Sequence, residues 1–258
     1  MYSIPISRCA YVRIVTTIVS TPPAIGAADR SLVRQIFEHL REAIIGGDIP
    51  PGSKLVEQRL ADELKVSRVP LRGAIPLLEA EGLVQSFPRR GTFVATLTVA
   101  DVHDLFDVRE TLEVLAARRA AERVDEVDVM LIGAAKEALA HNRAAVQAGE
   151  PARIAATSAE FHRVIVEMSG NQLLPAAMRP INSRVEWLFR ITVGMDQRAA
   201  SDDHGALLKA ILKGEVERAG TIAREHIVGS RGPSVEIMSS LLAADGRHLM
   251  PTPAIPRT

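Results

Sequence analysis

The chain has 258 residues, of which 47% are hydrophobic and 24% charged, a balance typical of globular proteins and unlike that of disordered ones. Lys plus Arg and Asp plus Glu number 31 each, so the net charge gives no sign of nucleic-acid binding, and any basic surface must be local. The single cysteine excludes an internal disulfide framework and a CxxC zinc site, which favours a cytoplasmic location. No run approaches the roughly 20 apolar residues of a membrane span, so neither a targeting signal nor a membrane partner is predicted.

The first elements along the chain indicate a pair of closely joined helices. Residues 1–28, which lead into the turn-rich TPPAIGAAD, are predicted to be a poorly ordered extension. From Arg30 to Gly46 apolar residues recur every three or four positions, as on one face of a helix. A short helix is predicted over 57–64, and Ser67 is a suitable N-cap for a second helix that runs to about residue 81. Two helices joined by so tight a turn are typical of a helix-turn-helix.

The remainder of the chain predicts a wing and then a helical bundle. Strands are expected over 83–87 and 92–97, on either side of PRRG, which together form a β-hairpin. The predicted fold is therefore mainly α, with a winged helix-turn-helix of three helices plus a β-hairpin wing, an all-α antiparallel bundle of six or seven helices, and a tail. The domains are expected at 29–98, 99–232 and 233–258, and the helical segments of the bundle at about 101–123, 126–148, 151–168, 172–194, 202–213 and 215–230.

Local positive charge lies where a helix-turn-helix would read DNA. Arg68 and Arg72 are one turn apart on a helix face that is not the apolar stripe. Arginine suits this position because its fork binds a guanine edge or a phosphate pair, and the helix N-terminus at Ser67 suits a phosphate. The wing tip adds Arg89 and Arg90, which can reach the DNA backbone or the minor groove. Charges alone are more typical of a solvated helix face, but their combination with the helix spacing, the cap and the wing favours DNA binding.

The whole segment resembles the DNA-binding domain of GntR-family regulators. The resemblance is carried by PGSKLVEQRLADELKVSRVPLRGAIPLLEAEGLVQSFPRRGTFV, in which a PG turn, an acid before LA, a small residue followed by Arg, a Pro and Arg, LE-x-EGL and a wing glycine occur in order. The family's motif implies that the DNA contacts are made by Ser67, Arg68, Val69, Arg72, Arg90 and Gly91.

Two positions of the recognition helix depart from the family pattern. The family usually has Glu where this chain has Gly73, and often has a basic residue at the position of Pro76. A proline inside a helix removes the hydrogen bond from its own nitrogen to the carbonyl four residues earlier. We therefore expect a kink near Pro76.

An arginine of the second domain is predicted to face the bundle interior. Arg109 shares a helical stripe with Leu105, Leu112 and Ala116. A buried, unpaired guanidinium is costly, so Arg109 requires an internal partner. That partner is either a structural carboxylate, such as Glu113 or Glu186, or a bound anion.

Three histidines fall on the inward faces of three separate helices. His162 is next to Phe161, whereas His204 and His226 each share a stripe with apolar residues of their own helix. A single such histidine is more often a core residue than a ligand. Three in one bundle form a set that suits zinc, nickel or a similar ion, with a position left open for water or a small acid.

The second domain also resembles the FCD effector domain of the FadR branch of the GntR family. The resemblance spans roughly 100–230 and is carried by DLFDVRETLE, EFHRVIVEMSGN, DHGALLKAI and AREHI. It implies a divalent metal, zinc or nickel, on His162, His204 and His226, and a carboxylate effector bound against that metal and Arg109. The family's fourth ligand, an acid four residues before the first histidine, is replaced here by Ser158.

These features predict a ligand-responsive DNA-binding transcriptional regulator and no enzyme, with no catalytic residues assigned. We expect a homodimeric repressor that binds a palindromic double-stranded operator and is released by a small organic acid. Two alternatives remain at this point. A metal-dependent hydrolase could use the three histidines, although HExxH and a nucleophile elbow are absent from the sequence. A non-specific architectural DNA binder would use the helical domain only for dimerisation.

Overall fold

The structure is a computed structural model that describes residues 32–192 and 196–244. The extension expected over 1–28 and the end of the expected tail, 245–258, lie outside the described residues. Within them the chain is mainly helical, with a small antiparallel sheet near its start. This confirms the predicted fold class, a winged helix-turn-helix followed by an all-α bundle.

The winged domain contains three helices, α1 (Leu32–Gly46), α2 (Glu57–Leu64) and α3 (Arg68–Ala80). The turn between α2 and α3 is short because Lys65 adopts a left-handed conformation, with φ of 54°, and ends α2 abruptly. The apolar stripes of the three helices, which include Leu71 and Leu78 of α3, are buried against one another. The predicted helix-turn-helix is therefore present.

Three strands form the wing, β1 (Lys54–Leu55), β2 (Val84–Phe87) and β3 (Gly91–Val94). They are antiparallel in the order β1-β3-β2, and β3 is central. The sequence predicted the hairpin of β2 and β3 but not β1. A strand of two residues has no alternating pattern to detect, and β1 exists only because Lys54 pairs with Phe93 of a distant segment.

The two unusual residues of α3 are accommodated without a break in the helix, which runs through Pro76 to Ala80. Pro76 lies on the exposed face, where its missing N–H leaves no group unpaired in the core. A Cβ at Gly73 would lie only 3.1 Å from a methyl carbon of Val33 in α1. Gly73 therefore allows α1 and α3 to approach closely.

Six α-helices make up the bundle within the described ranges. Thr98 begins the first with a capping box, in which its hydroxyl accepts from the Asp101 nitrogen and the Asp101 carboxylate accepts from the Thr98 nitrogen. A short 3₁₀ turn, Val124–Glu126, follows that helix. The helices are α4 (Val99–Glu122), α5 (Val129–Ala148), α6 (Pro151–Met168), α7 (Leu174–Ile191), α8 (Gln197–Leu212) and α9 (Val216–Ala244).

Most helix boundaries lie within about three residues of those expected, and two differ by more. α8 begins at Gln197 rather than near residue 202, because the Asp196 side chain accepts from two backbone nitrogens and caps an earlier turn. α9 continues to Ala244 through Pro233, so the placement of a separate tail from residue 233 onward is wrong for 233–244. Met238, which is buried in an apolar cluster that contains residues of both domains, provides tertiary contacts that favour continuation of the helix.

The two domains share a hydrophobic core. One apolar cluster combines the stripes of α1 and α3 with residues of the bundle, among them Phe106 of α4, Trp187 of α7 and Met238 of α9. A second cluster lies wholly inside the bundle, around Phe161 and Ile165 of α6. The winged domain is therefore packed directly against the bundle, with α7 at the contact.

Candidate functional site

The start of α3 presents an open, basic face. Ser67 is the exposed N-cap residue, and its side chain accepts no hydrogen bond from the helix. Arg68 is exposed and makes no ion pair with any other described residue, while Val69 is 78% exposed. An apolar side chain so exposed beside a free arginine and an unused hydroxyl forms a surface suited to a partner such as DNA.

Arg72, one turn further along α3, is held by an acid of α2. Its Nε donates to Oε2 of Glu57 at 2.6 Å, and both side chains are partly or largely exposed. The sequence had identified this acid only as part of a motif. The contact uses only Nε, so the two terminal nitrogens of Arg72 remain available for a base edge or a phosphate.

The wing tip combines two arginines with a turn that requires unusual backbone conformations. Arg89 has φ of 63° and Gly91 has φ of 95°, both in the left-handed region. Glycine is favoured at position 91 by this backbone conformation, and a Cβ there would also lie 3.0 Å from Cε of Lys54 and displace the end of that side chain. The guanidinium of Arg90 lies 5.4 Å from the centre of the Phe87 ring.

Within the bundle the three predicted histidines converge at one buried point. The Nε2 atom of His204 on α8 lies 3.2 Å from that of His162 on α6 and 3.3 Å from that of His226 on α9. One ligand atom from each residue lies within 4.8 Å of the others, and all three side chains are buried. The Phe161 ring stacks on His204, with 4.5 Å between the ring centres, and helps to fix its orientation.

The opposite nitrogen of each imidazole faces an oxygen acceptor. His162 Nδ1 lies 2.7 Å from a carboxylate oxygen of Glu113. His204 Nδ1 lies 3.4 Å from the amide oxygen of Asn142, and His226 Nδ1 lies 3.3 Å from a carboxylate oxygen of Asp203. These oxygens favour the tautomer in which Nδ1 donates, and that tautomer would leave the Nε2 lone pairs directed at one another.

Electrostatics keep two of these imidazoles neutral. Burial, with additional effects of His162 and His226, holds the pKa of His204 well below its usual value. Burial also lowers the pKa of His226, although the hydrogen bond with Asp203 opposes this. The neutral imidazole is the form that binds a metal ion.

The residues present fit a divalent cation. Ligand nitrogens at about 2.0–2.1 Å from a tetrahedral ion lie about 3.3–3.4 Å apart, close to the Nε2 separations of this site. Three lone pairs in contact repel one another unless a cation or proton lies between them. Ser158, at the position where an acid was expected, is buried on α6, while Glu160 is directed to Arg163 on the surface.

Arg109 lies beside this cluster and is completely buried. Its Nε donates to Oε1 of Glu113 at 2.7 Å, and its guanidinium lies 5.1 Å from the ring centre of Phe106 and 5.4 Å from that of Phe189. Both terminal nitrogens, Nη1 and Nη2, lack a hydrogen-bond partner among the described residues. Glu113 is therefore the structural partner, whereas Glu186, the other candidate, contacts a different arginine.

Glu113 connects the arginine with the histidines. One of its oxygens binds Arg109 and the other faces His162. Burial would raise the pKa of Glu113, but Arg109 and His162 outweigh it and hold that pKa well below the usual range. A small cavity adjoins this group and is lined by Glu113, Ala116, His162, Ile165, Val166, Leu207 and Ala223.

Two family models match the chain in succession. The model described as bacterial regulatory proteins, gntR family, matches residues 32–94, and the FCD domain model matches residues 104–229. The chain belongs to the GntR family. It is a transcriptional regulator with a DNA-binding domain and an FCD domain, as the sequence motifs predicted.

Relatives of this GntR regulator agree with that assignment. YdhC, an HTH-type transcriptional regulator from Bacillus subtilis, is 26% identical over 81% of this chain and 91% of its own length. The HTH-type transcriptional repressor RspR from Escherichia coli is 29% identical over 54% of this chain and 60% of its own length. A GntR transcriptional regulator from Rhodococcus sp. RHA1 has the same fold, with a TM-score of 0.68 and 21% identity over 79% of this chain and 97% of that one.

None of the helices that the structure describes is long and apolar enough to cross a membrane.

Several contributors to the buried site of this GntR regulator were not identified from the sequence. Asn142 and Asp203, which face the histidines, are ordinary polar residues of helices α5 and α8. Glu113 was considered only as a partner of Arg109, although it also faces His162. Its spacing of one turn after Arg109 was the only signal available, because contacts between helices leave no local pattern.

Proposed function

We propose that this GntR regulator is a repressor that releases its operator when a small carboxylate binds in the bundle beside a divalent metal ion. DNA recognition is assigned to Ser67, Arg68, Val69, Arg72, Arg90 and Gly91. Effector recognition is assigned to Arg109, His162, His204 and His226, of which the three histidines hold the metal. The proposal also locates the regulator in the cytoplasm and assigns it to the FadR branch of the family.

The observation that carries the proposal is that the two terminal nitrogens of the buried Arg109 have no hydrogen-bond partner among the described residues. A guanidinium has five N–H donors, and burial without partners for the terminal nitrogens costs free energy. A carboxylate accepts two parallel bonds from such a fork, so an anion would complete the group. No other oxygen among the described residues does so.

The histidine cluster next to Arg109 gives the bundle a second means of binding an acid. His162, His204 and His226 would hold the ion, which supplies a Lewis acid for a carboxylate oxygen. Asn142, Asp203 and Glu113 orient the rings through their Nδ1 atoms. Since Ser158 offers a weaker ligand than a carboxylate, more coordination positions are left to water and effector.

A dimer with two winged domains would read a palindromic operator, each recognition helix entering one half-site. The name of the relative RspR, a transcriptional repressor, supports repression over activation. Neither the hydrolase nor the architectural DNA binder is favoured by a specific observation of the described residues.

Calorimetry and gel-shift titration test the proposal together. Protein stripped with EDTA should bind Zn²⁺, and the zinc form should then bind a lactate-like acid, a sugar acid or a dicarboxylate and release DNA from upstream of its own gene. Arg109→Met should retain DNA binding and lose the response to acid. Arg231→Met is the matched control, since Arg231 also lies beside Phe106 but pairs outward with Asp107. Failure to bind zinc, or an acid response retained by Arg109→Met, would refute the assignment.

A further inference from the structure

A polar cluster joins the winged domain to the bundle. Arg41 of α1 donates from Nη2 to Glu186 of α7 at 2.6 Å and from Nε to Glu81 at 3.2 Å. Ser183 of α7 donates from Oγ to the same Glu81 oxygen at 2.6 Å. Three segments that are distant in sequence are thereby tied by one guanidinium.

This cluster is too well buried to be an incidental surface contact. Glu81 and Glu186 are each 6% exposed, and Ser183 is 3% exposed. Burial disfavours the charged form of Arg41, yet Glu186, Glu81 and Glu42 outweigh that effect and raise its pKa. Two buried carboxylates depend on one cation, so movement of either domain away from the other would leave a buried charge unpaired.

The cluster lies at the end of the recognition helix. Glu81 is the residue that follows α3 directly, and its side chain is one of the two acids bound by Arg41. The next residue, Gly82, has φ of +67°, and a Cβ there would lie 2.4 Å from Nε of Arg184 on α7. Helix α7 therefore contacts the end of α3 at two successive residues.

The same helix also lies beside Arg109. Phe189, one turn after Glu186, lies with its ring centre 5.4 Å from the Arg109 guanidinium. Trp187, between them, is 1% exposed and is the only tryptophan of the chain. A displacement of α7 after binding at Arg109 would therefore move the residues that contact Arg41 and would also change the surroundings of Trp187, a natural fluorophore.

We infer that Arg41 is a positioning residue for DNA recognition: through Glu81 and Glu186 it fixes the recognition helix relative to α7, so that binding at the buried site around Arg109 and the histidines changes operator affinity. This inference rests on the proposed function. Arg41 itself lies on α1 and is not among the residues assigned to DNA.

The test separates positioning from recognition by using two lengths of DNA. An operator is selected from a random library with the wild-type protein and compared with a duplex of one half-site. Arg41→Met and Glu186→Gln should each weaken binding to the full operator by about fivefold or more, the lower range of coupling between sites, and leave half-site binding within about twofold. Arg179→Met is the matched control, since Arg179 is exposed on α7 and makes no ion pair with described residues. It should change neither affinity.

A double-variant cycle checks that the two residues act as one contact. Because both substitutions remove the same ion pair, their effects should not add. The double variant should lose no more operator affinity than whichever single variant binds the operator more weakly. Acrylamide quenching of Trp187, which needs no DNA, should rise about twofold in Arg41→Met as the interface loosens, and circular dichroism confirms folding.

The coupling between the buried site and operator binding is tested with Zn²⁺ alone. Zinc should change the operator affinity of the wild type, and Arg41→Met should bind zinc with unchanged affinity while losing that change. Full-operator affinity that survives in Arg41→Met, an equal loss on the half-site, or additive losses would overturn the positioning role. Zinc that binds the wild type without any change of operator affinity would overturn the coupling. Absence of zinc binding, or failure to select any operator, contradicts the proposed function instead, and the quenching experiment then decides the role of Arg41.

Discussion

Replacing Arg109 tests whether the bundle sacrifices stability in order to bind an anion. Arg109 is 0% exposed and its partner Glu113 is 6% exposed, with 2.7 Å between Nε and Oε1. Arg109→Met leaves the Glu113 carboxylate buried with only His162 to face it. Removing one member of a buried pair typically costs about 3–5 kcal/mol, and we expect the free energy of unfolding to fall by about that amount.

The double variant Arg109→Met/Glu113→Gln should behave differently. It removes the charge pair and also the two terminal nitrogens that have no partner, and it keeps an amide oxygen to face His162. Replacing a whole buried ion pair by groups of similar volume is often neutral or stabilising, so its stability should be within about 1 kcal/mol of the wild type or above it.

Urea unfolding in EDTA measures both variants, followed by circular dichroism and by Trp187 emission. Excess EDTA keeps metal binding out of the comparison. The reasoning would be refuted by a single variant as stable as the wild type, or by a double variant as unstable as the single one. The first result would mean that Glu113 finds another partner, and the second that the arginine contributes mainly through packing.

Three further predictions concern metal, DNA and core. Zinc at about 100 times its dissociation constant should stabilise the wild type by about 2.7 kcal/mol in thermal unfolding, and His204→Ala should abolish that gain; a gain that persists would place the metal elsewhere. Arg68→Ala should weaken operator binding and reduce its salt dependence, whereas Arg179→Ala should not, and equal effects would indicate only a general charge contribution. Leu78→Ala, at a fully buried position of α3, should lower the free energy of unfolding by about 2–5 kcal/mol in chemical denaturation, and a loss well under that range would show that the core collapses around the gap.

The sequence was most informative where a few neighbouring residues determine the structure. The α2–α3 turn is an example, because Ser67 occupies the N-cap position of α3 and the spacing of the apolar residues defines both helices. The exact ends of longer helices were less accessible. Gly232 and Pro233 are locally unfavourable in a helix, and the packing of Met238, Val235 and Leu242 on a core formed by distant residues explains why α9 continues.

The buried site shows the same division. The helical spacing of apolar residues was enough to place Arg109, His162, His204 and His226 on inward faces, because the buried face of a helix can be recognised from its own sequence. That the three Nε2 atoms meet, and that Glu113 lies between arginine and histidine, depends on how α4, α6, α8 and α9 pack together.

The amino-acid sequence by itself thus determined the winged helix-turn-helix, the helical bundle and the inward direction of the four assigned side chains, because short-range periodicity and capping encode them. The tertiary structure decided which acid each arginine binds: Glu113 pairs with Arg109, and Glu186 pairs with Arg41 across the domain boundary. Both acids were possible partners in the sequence. Only packing, which brings together residues far apart in the chain, assigns Glu113 to the candidate effector site and Glu186 to the contact between the domains.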